Sequence, residues 1–248
     1  MDVEVLPGPS LAERAQTAVA QARLATVSWG RAAAGAGGAA EGFGGSGVAA
    51  GEQRPVTAIA AIRVDGRGLP VLLLPPREQV TEALAGGGLV TATVPAPAPL
   101  GSLALTGTVQ PRSVRFGAGA DGRVGYRLDL QSLRFAGAGG RWVPLAEYAA
   151  AEPDPLWRVA PAAVRHLEHG HLAELIGCVR AHGMNQAEWV VPRGLDRFGL
   201  ELAVISPAGV AAVRLSFPDG PVRSLDEVPA SLQAVLACRC RPPQREQA

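Results

Sequence analysis

The sequence predicts an α+β fold: a small closed β-barrel followed by a smaller α/β domain. Between Leu24 and Phe135, short apolar and β-branched runs alternate with Gly- and Pro-rich turns, the signature of antiparallel strands. After the break Pro153-Asp154-Pro155 the period changes. Two helical stretches there precede three further strand-like runs and a last helix. The 248 residues, 48% of them hydrophobic, supply core enough for both pieces. The expected division is a barrel domain over 1–152, a C-terminal domain over 153–240 and a frayed tail over 241–248.

In chain order, Ser10 caps a helix over 11–22 and Glu13 completes a capping box. The apolar residues of that helix are mostly alanine, which favours helix. Leu24–Trp29 shifts to β-branched and aromatic residues and reads as the first strand. Residues 30–54 form an insertion rich in Gly and Ala, too poor in side-chain area to offset its ordering entropy, and disorder is expected. No helix start or cation follows those glycines where a phosphate cradle needs one. Val56–Val64 and 69–74 flank Asp65-Gly66-Arg67-Gly68 and predict a hairpin. Pro75-Pro76 ends its second strand, and a short helix over 77–84 is closed by Gly86-Gly87-Gly88. Strands over 89–94, 102–109 and Val124–Phe135, the last with a bulge, complete five or six barrel strands. Leu145–Ala150 reads as a short helix after Trp142-Val143-Pro144.

In the second domain, helices are expected over 156–168 and 172–182, with Gly170 breaking the run between them. Strands follow over 188–191, 199–205 and 210–217, the last two a hairpin across 206–209. A final helix starts at Ser224 or Asp226 and runs through Val235.

Composition removes several function classes. There is no lysine, so Schiff-base chemistry and a Walker-type phosphate lysine are excluded. A net charge of +1 gives no reason to expect nucleic-acid or membrane-surface binding, and no apolar run is long enough to span a bilayer. No basic region followed by an apolar run marks a signal peptide. Cys178, Cys238 and Cys240 make an odd set without framework spacing, so the cytoplasm is the expected compartment. No G-x-S-x-G motif is present.

All four histidines, His166, His169, His171 and His182, fall in the second domain within 17 positions of one another. Histidine is the side chain most readily recruited for proton transfer or ligation near neutral pH. A helix broken at Gly170 would let His166 and His171, five residues apart, act at one junction as ligand or proton donor. The structural alternative is that each ring caps a helix end or bonds the facing sheet. His169 is expected to face solvent. No three or four donors stand at zinc spacing, so no metal site is assigned. Asp196-Arg197 is expected to fix the start of a strand through an ion pair or turn bond. Arg214 alternates with Val213 and Leu215 and is expected on the solvent side, where its planar fork suits a carboxylate or propionate. In the barrel, Arg63, Arg77 and Thr81 are the candidates for a phosphate group, and most inward positions are plain Ala, Val or Leu.

Three segments together resemble one family: His166-Leu167-Glu168-His169-Gly170-His171, Leu195-Asp196-Arg197-Phe198-Gly199-Leu200 and Val213-Arg214-Leu215-Ser216-Phe217-Pro218. They are similar to the C-terminal domain of HugZ-type haem-utilisation proteins, which carries an H-x-N-x-D-H pattern, a D-R-Y/F-G strand start and a V-R-I/L-x-F strand. His166 and His171 match the pattern's histidines, while its Asn and Asp stand as Glu168 and Gly170 here. In that family this domain follows an FMN-binding-type split β-barrel like that of pyridoxamine phosphate oxidase. The resemblance thus implies a split barrel with a small α/β C-terminal domain.

It also implies haem or a related tetrapyrrole as ligand, with FMN second to it. His166, His171, Arg214 and Arg63 are the binding candidates. The iron-ligating histidine of the family's oxygenases lies in a C-terminal tail, and here that region reads Cys238-Arg239-Cys240-Arg241-Pro242, so oxygenase activity does not carry over. Split barrels of this kind are commonly dimers, which implies a homodimer. A non-catalytic dimeric module that contacts a protein partner is the alternative from a different class, and a flavin-dependent oxidoreductase is the third.

Overall fold

The structure is a computed structural model. It describes residues 8–29, 56–65, 68–74, 88–96, 100–112, 123–137 and 139–237 of the chain. The expected disordered insertion at 30–54, the helix over 77–84, Arg77, Thr81, Cys238, Cys240 and the tail lie outside these residues. The described chain forms two compact units. One takes the residues from Ala18 to Ala150, and the other takes those up to Thr17 together with those from Ala151 onward.

The first unit is a closed antiparallel barrel. Its strands are β1 (Leu24–Trp29), β2 (Val56–Val64), β3 (Pro70–Leu74), β4 (Leu89–Pro95), β5 (Ser102–Arg112) and β6 (Val124–Phe135). They run in the order β3-β2-β1-β4-β5-β6, and a β3–β6 pairing closes the ring. A short strand missing from the expectation, β7 (Arg141–Val143), extends the sheet beyond β6. Three residues are too few for a period-2 pattern to register.

Alternation supplies the core. Ala25, Val27 and Trp29 of β1 point inward, as do Val90, Ala92 and Val94 of β4 and Leu103 and Leu105 of β5. Tyr126, Leu128, Leu133 and Phe135 do the same from β6. The outward positions of β1, β4 and β5 include the small polar residues Thr26, Ser28, Thr91 and Thr106, with Leu24 and Leu89 exposed at the strand starts. The hydroxyls of Thr91 and Thr106 bond at 3.0 Å.

The expected bulge is present. Thr106 pairs with Ser132 and Gly107 with Leu130, so Gln131 is the extra residue. Helix α2 (Leu145–Ala150) follows β7 and buries Tyr148. Helix α1 (Leu11–Gln21) precedes β1 and opens on the expected capping box. Ser10 N–H donates to Glu13 Oε2 at 2.7 Å, and Glu13 N–H donates to Ser10 Oγ at 3.2 Å.

The second unit packs helices on one face of a three-stranded sheet. Its helices are α3 (Ala160–Gly170), α4 (Leu172–Ala181) and α5 (Val228–Ala237). Its strands β8 (Trp189–Asp196), β9 (Gly199–Ser206) and β10 (Gly209–Ser216) run in the order β10-β9-β8. Leu200, Leu202, Val204 and Leu215 of the sheet meet Leu167, Leu175, Val179 and Val235 of the helices in one core.

Two of the boundaries that differ from expectation turn on a proline. Helix α3 begins at Ala160 rather than 156, because Pro161 has no N–H to give Trp157 and so sits in the first turn. Strand β8 runs through Pro192 instead of ending before it. It is an edge strand, and Arg193 is the extra residue of a bulge between the pairs Pro192–Leu202 and Gly194–Glu201.

Candidate functional site

The histidine junction is built by a single non-helical residue. Helix α3 continues through Gly170, and the break falls at His171, whose φ of −132° and ψ of 22° stop one helix and start the next. Its N–H still donates to the Leu167 carbonyl at 3.0 Å, and its own carbonyl accepts from Leu175 N–H at 3.0 Å. The turn is therefore pinned from both sides.

The result brings together two side chains that a continuous helix would set apart. His166 Nε2 and His171 Nε2 lie 3.2 Å apart. Their ring centroids are 5.0 Å apart with the planes at 65°. His171 makes no side-chain cap bond to α4, whose N-terminus it precedes. The rings meet each other rather than the facing sheet, and His166 is exposed.

The other two histidines serve their own helices. His169 is exposed, with Nδ1 2.7 Å from the Arg165 carbonyl. His182 Nδ1 lies 2.9 Å from the Cys178 carbonyl. Cys178 is fully buried and its thiol donates to the Val235 carbonyl at 3.3 Å.

Arg214 departs from the solvent-facing expectation. It lies mid-strand on the face away from the helices, as its alternation with Val213 and Leu215 dictates, yet its side chain is only 14% exposed. One guanidinium nitrogen bonds Asp196 and another bonds Glu201 Oε1 at 2.8 Å. Glu201 also takes Arg14 Nη1 of α1 at 2.9 Å. The N-terminal segment covers that end of the sheet, and a Cβ on Gly8 would stand 3.8 Å from Arg214 Nε. The fork is thus filled by carboxylates of the chain itself.

Asp196 does what a turn carboxylate should: its Oδ1 accepts the Phe198 N–H at 2.8 Å. Arg197 reaches Glu13 with its guanidinium and stacks over Phe198, 4.8 Å from the ring centroid.

Sequence reasoning missed Asp154 as more than a boundary marker. It is 5% exposed, and its carboxylate accepts Leu156 N–H and Arg197 N–H, each at 2.9 Å. Its own N–H donates to Thr17 Oγ1 at 2.8 Å. Burial raises its pKa above the ordinary carboxylate value, with Asp196 adding to the rise. The two N–H bonds and the Arg197 charge oppose it. The signal was available: an acid between two prolines is disfavoured inside a helix or a central strand, which points to a turn or a buried contact.

Arg63 belongs to the barrel unit. It is exposed on β2, where Nη1 donates to the Ile62 carbonyl at 2.9 Å. Among the described residues no three His, Cys, Asp or Glu side chains converge as a metal set. On the outer face of the three-stranded sheet, Trp189, Ile205 and Val210 stand side by side in register and exposed. No helix among the described residues is long and apolar enough to cross a membrane.

No protein-family model matches the chain, and no curated protein does either. Among solved structures, a protein of Agrobacterium tumefaciens described as of unknown function aligns over 94% of this chain and 98% of its own, at 16% identity and a TM-score of 0.39. A Mycobacterium smegmatis protein described as haem-binding aligns over 94% of this chain and 99% of its own, at 24% identity and a TM-score of 0.59. That second likeness extends through both units and establishes a shared fold, a closed antiparallel barrel with helices.

Proposed function

We propose that this chain binds haem or a related tetrapyrrole. The supporting observation is the fold it shares, over 94% of its length, with a Mycobacterium smegmatis protein described as haem-binding. The three segments that resemble HugZ-type proteins point the same way. His166 and His171 are the proposed source of an iron ligand, since both imidazoles sit at a pinned junction and His166 is exposed. Arg63, exposed on β2, is proposed separately for an anionic group bound at the barrel itself. Arg214 was a candidate for a propionate, but two carboxylates already hold its fork and its proposed role is structural. FMN ranks behind haem. No oxygenase activity is proposed, because the region at Cys238 to Pro242 carries no histidine. A homodimer in the cytoplasm is part of the proposal, supported by the odd, unframed cysteine set and by the dimeric habit of split barrels.

One observation favours a second reading. Trp189, Ile205 and Val210 form an exposed apolar row, the kind of surface a protein partner covers. A non-catalytic interaction module would use it.

Titration of the full chain with hemin, followed in the visible, decides between them. A saturable one-to-one Soret shift that His166→Ala or His171→Ala abolishes is the expected result. A shift that survives both substitutions removes the pair from the site. No saturable shift ends the haem reading and leaves the interaction module.

A further inference from the structure

The 3.2 Å separation of His166 Nε2 and His171 Nε2 means more than a hydrogen bond between rings. Two imidazoles on opposite faces of one haem iron would hold their nitrogens about 4 Å apart with the metal between them. The pair therefore offers haem at most one ligand. A hydrated ion that accepts two ligands side by side has a different requirement. With metal–nitrogen bonds of about 2.0–2.1 Å, adjacent nitrogens stand about 3.0 Å apart at a right angle and about 3.4 Å apart at the tetrahedral angle. The observed 3.2 Å falls between.

The rings agree. Two imidazoles converging on a tetrahedral ion place their centroids about 5.2 Å apart, whereas a straight ring-to-ring bond extends them to about 5.5 Å. The centroids here are 5.0 Å apart with the planes at 65°, so the two rings form a V rather than a line. The backbone at His171 is fixed before any ion arrives, because its N–H donates to the Leu167 carbonyl and its carbonyl accepts from Leu175 N–H.

We propose that His166 and His171 form a two-histidine chelate for a hydrated borderline divalent ion of the copper, nickel and zinc class. In the empty pair one Nε2 donates and the other accepts. On binding, the donating ring carries its proton on Nδ1 instead, and both Nε2 lone pairs meet the ion with no net change in protons. Water completes the coordination, since no third side chain among the described residues converges there. Imidazole donors and the usual affinity order place Cu(II) first.

The test is calorimetric titration of the full chain with nickel(II) chloride, with Cys238→Ser and Cys240→Ser in every arm to remove the other soft donors. One equivalent is expected to bind. His166→Ala and His171→Ala are each expected to weaken it about tenfold or more, because a chelate loses its second contact with either ring. His169→Ala is expected to leave it unchanged. Unchanged binding in either His166→Ala or His171→Ala overturns the proposal, since a lone imidazole is not a chelate. Circular dichroism of the variants checks the fold. Hemin is absent throughout, so failure of the haem reading and failure of the chelate are separate results.

Discussion

Arg214, in the middle of β10, reaches across β9 to the carboxylate of Asp196 at the end of β8, and takes Glu201 of β9 at 2.8 Å on the way. All three side chains are at most 17% exposed. One cation thus ties the three strands together on the face opposite α3, α4 and α5. Truncating it strands two partly desolvated carboxylates, and Arg14 remains to compensate only Glu201. Arg214→Ala is expected to destabilise the chain by about 2–4 kcal/mol in urea unfolding. Arg214→Lys should recover only part, because a point charge cannot span both acids. A loss under about 0.5 kcal/mol would make this an ordinary surface pair.

Asp154 gives the stability a pH dependence of known sign. Its folded-state pKa lies above the unfolded value of about 3.9, mainly through burial. Above pH 3.9 the folded chain therefore keeps a proton that the unfolded chain has released. Its contribution is greatest below that pH and falls as pH rises, until the folded-state value is passed. Asp154→Asn should remove this slope while costing about 1–3 kcal/mol, because the amide cannot accept from both Leu156 and Arg197. Unfolding free energies of the two proteins measured across this range test the point. Parallel curves would show that Asp154 does not titrate differently on folding.

The barrel makes its own prediction at Gly107. A Cβ there would lie 2.1 Å from the Asp129 carbonyl oxygen, beside the bulge at Gln131. The obstacle is backbone in the neighbouring strand and cannot rotate away. Gly107→Ala should cost about 2–3 kcal/mol in chemical denaturation. Gly170→Ala, whose Cβ meets only His166 Cε1 at 3.9 Å, should be neutral or slightly stabilising.

What the sequence reveals and conceals separates along the range of the interaction. Leu24–Trp29, Val56–Val64 and Val124–Phe135 are legible because alternation and turn residues act between neighbours. The Ser10–Glu13 box is legible for the same reason. Arg214 is not, because its partners lie on other strands and its cover comes from the segment at Gly8 and Arg14, about 200 residues away. Sequence distance also hides Asp154, whose partners Thr17 and Arg197 are 137 and 43 residues away and which the local pattern reveals only as a proline-flanked break. At the candidate site, composition and clustering single out His166 and His171. Their approach depends on where the helix breaks. The expectation placed that at Gly170, whereas it falls at His171 itself, and this turns the ring toward His166.

Glu13 offers the sharpest test of how a local motif and a distant contact combine. One carboxylate oxygen accepts the Ser10 N–H of the capping box, and the other takes the guanidinium of Arg197. Ser10→Ala removes only the cap and should cost about 1 kcal/mol. Glu13→Ala removes both partners and should cost more, about 1.5–2.5 kcal/mol, part of it from the unpaired Arg197. Glu13→Gln keeps an acceptor for Ser10 and gives up the ion pair, so it should fall between them. The Ser10→Ala, Glu13→Ala double variant should lose less than the sum of the singles, because each bond of the box holds the backbone in place for the other and weakens when its partner is gone. Strict additivity in thermal or urea unfolding would mean that the two bonds of the box, each to the other residue's backbone N–H, form independently.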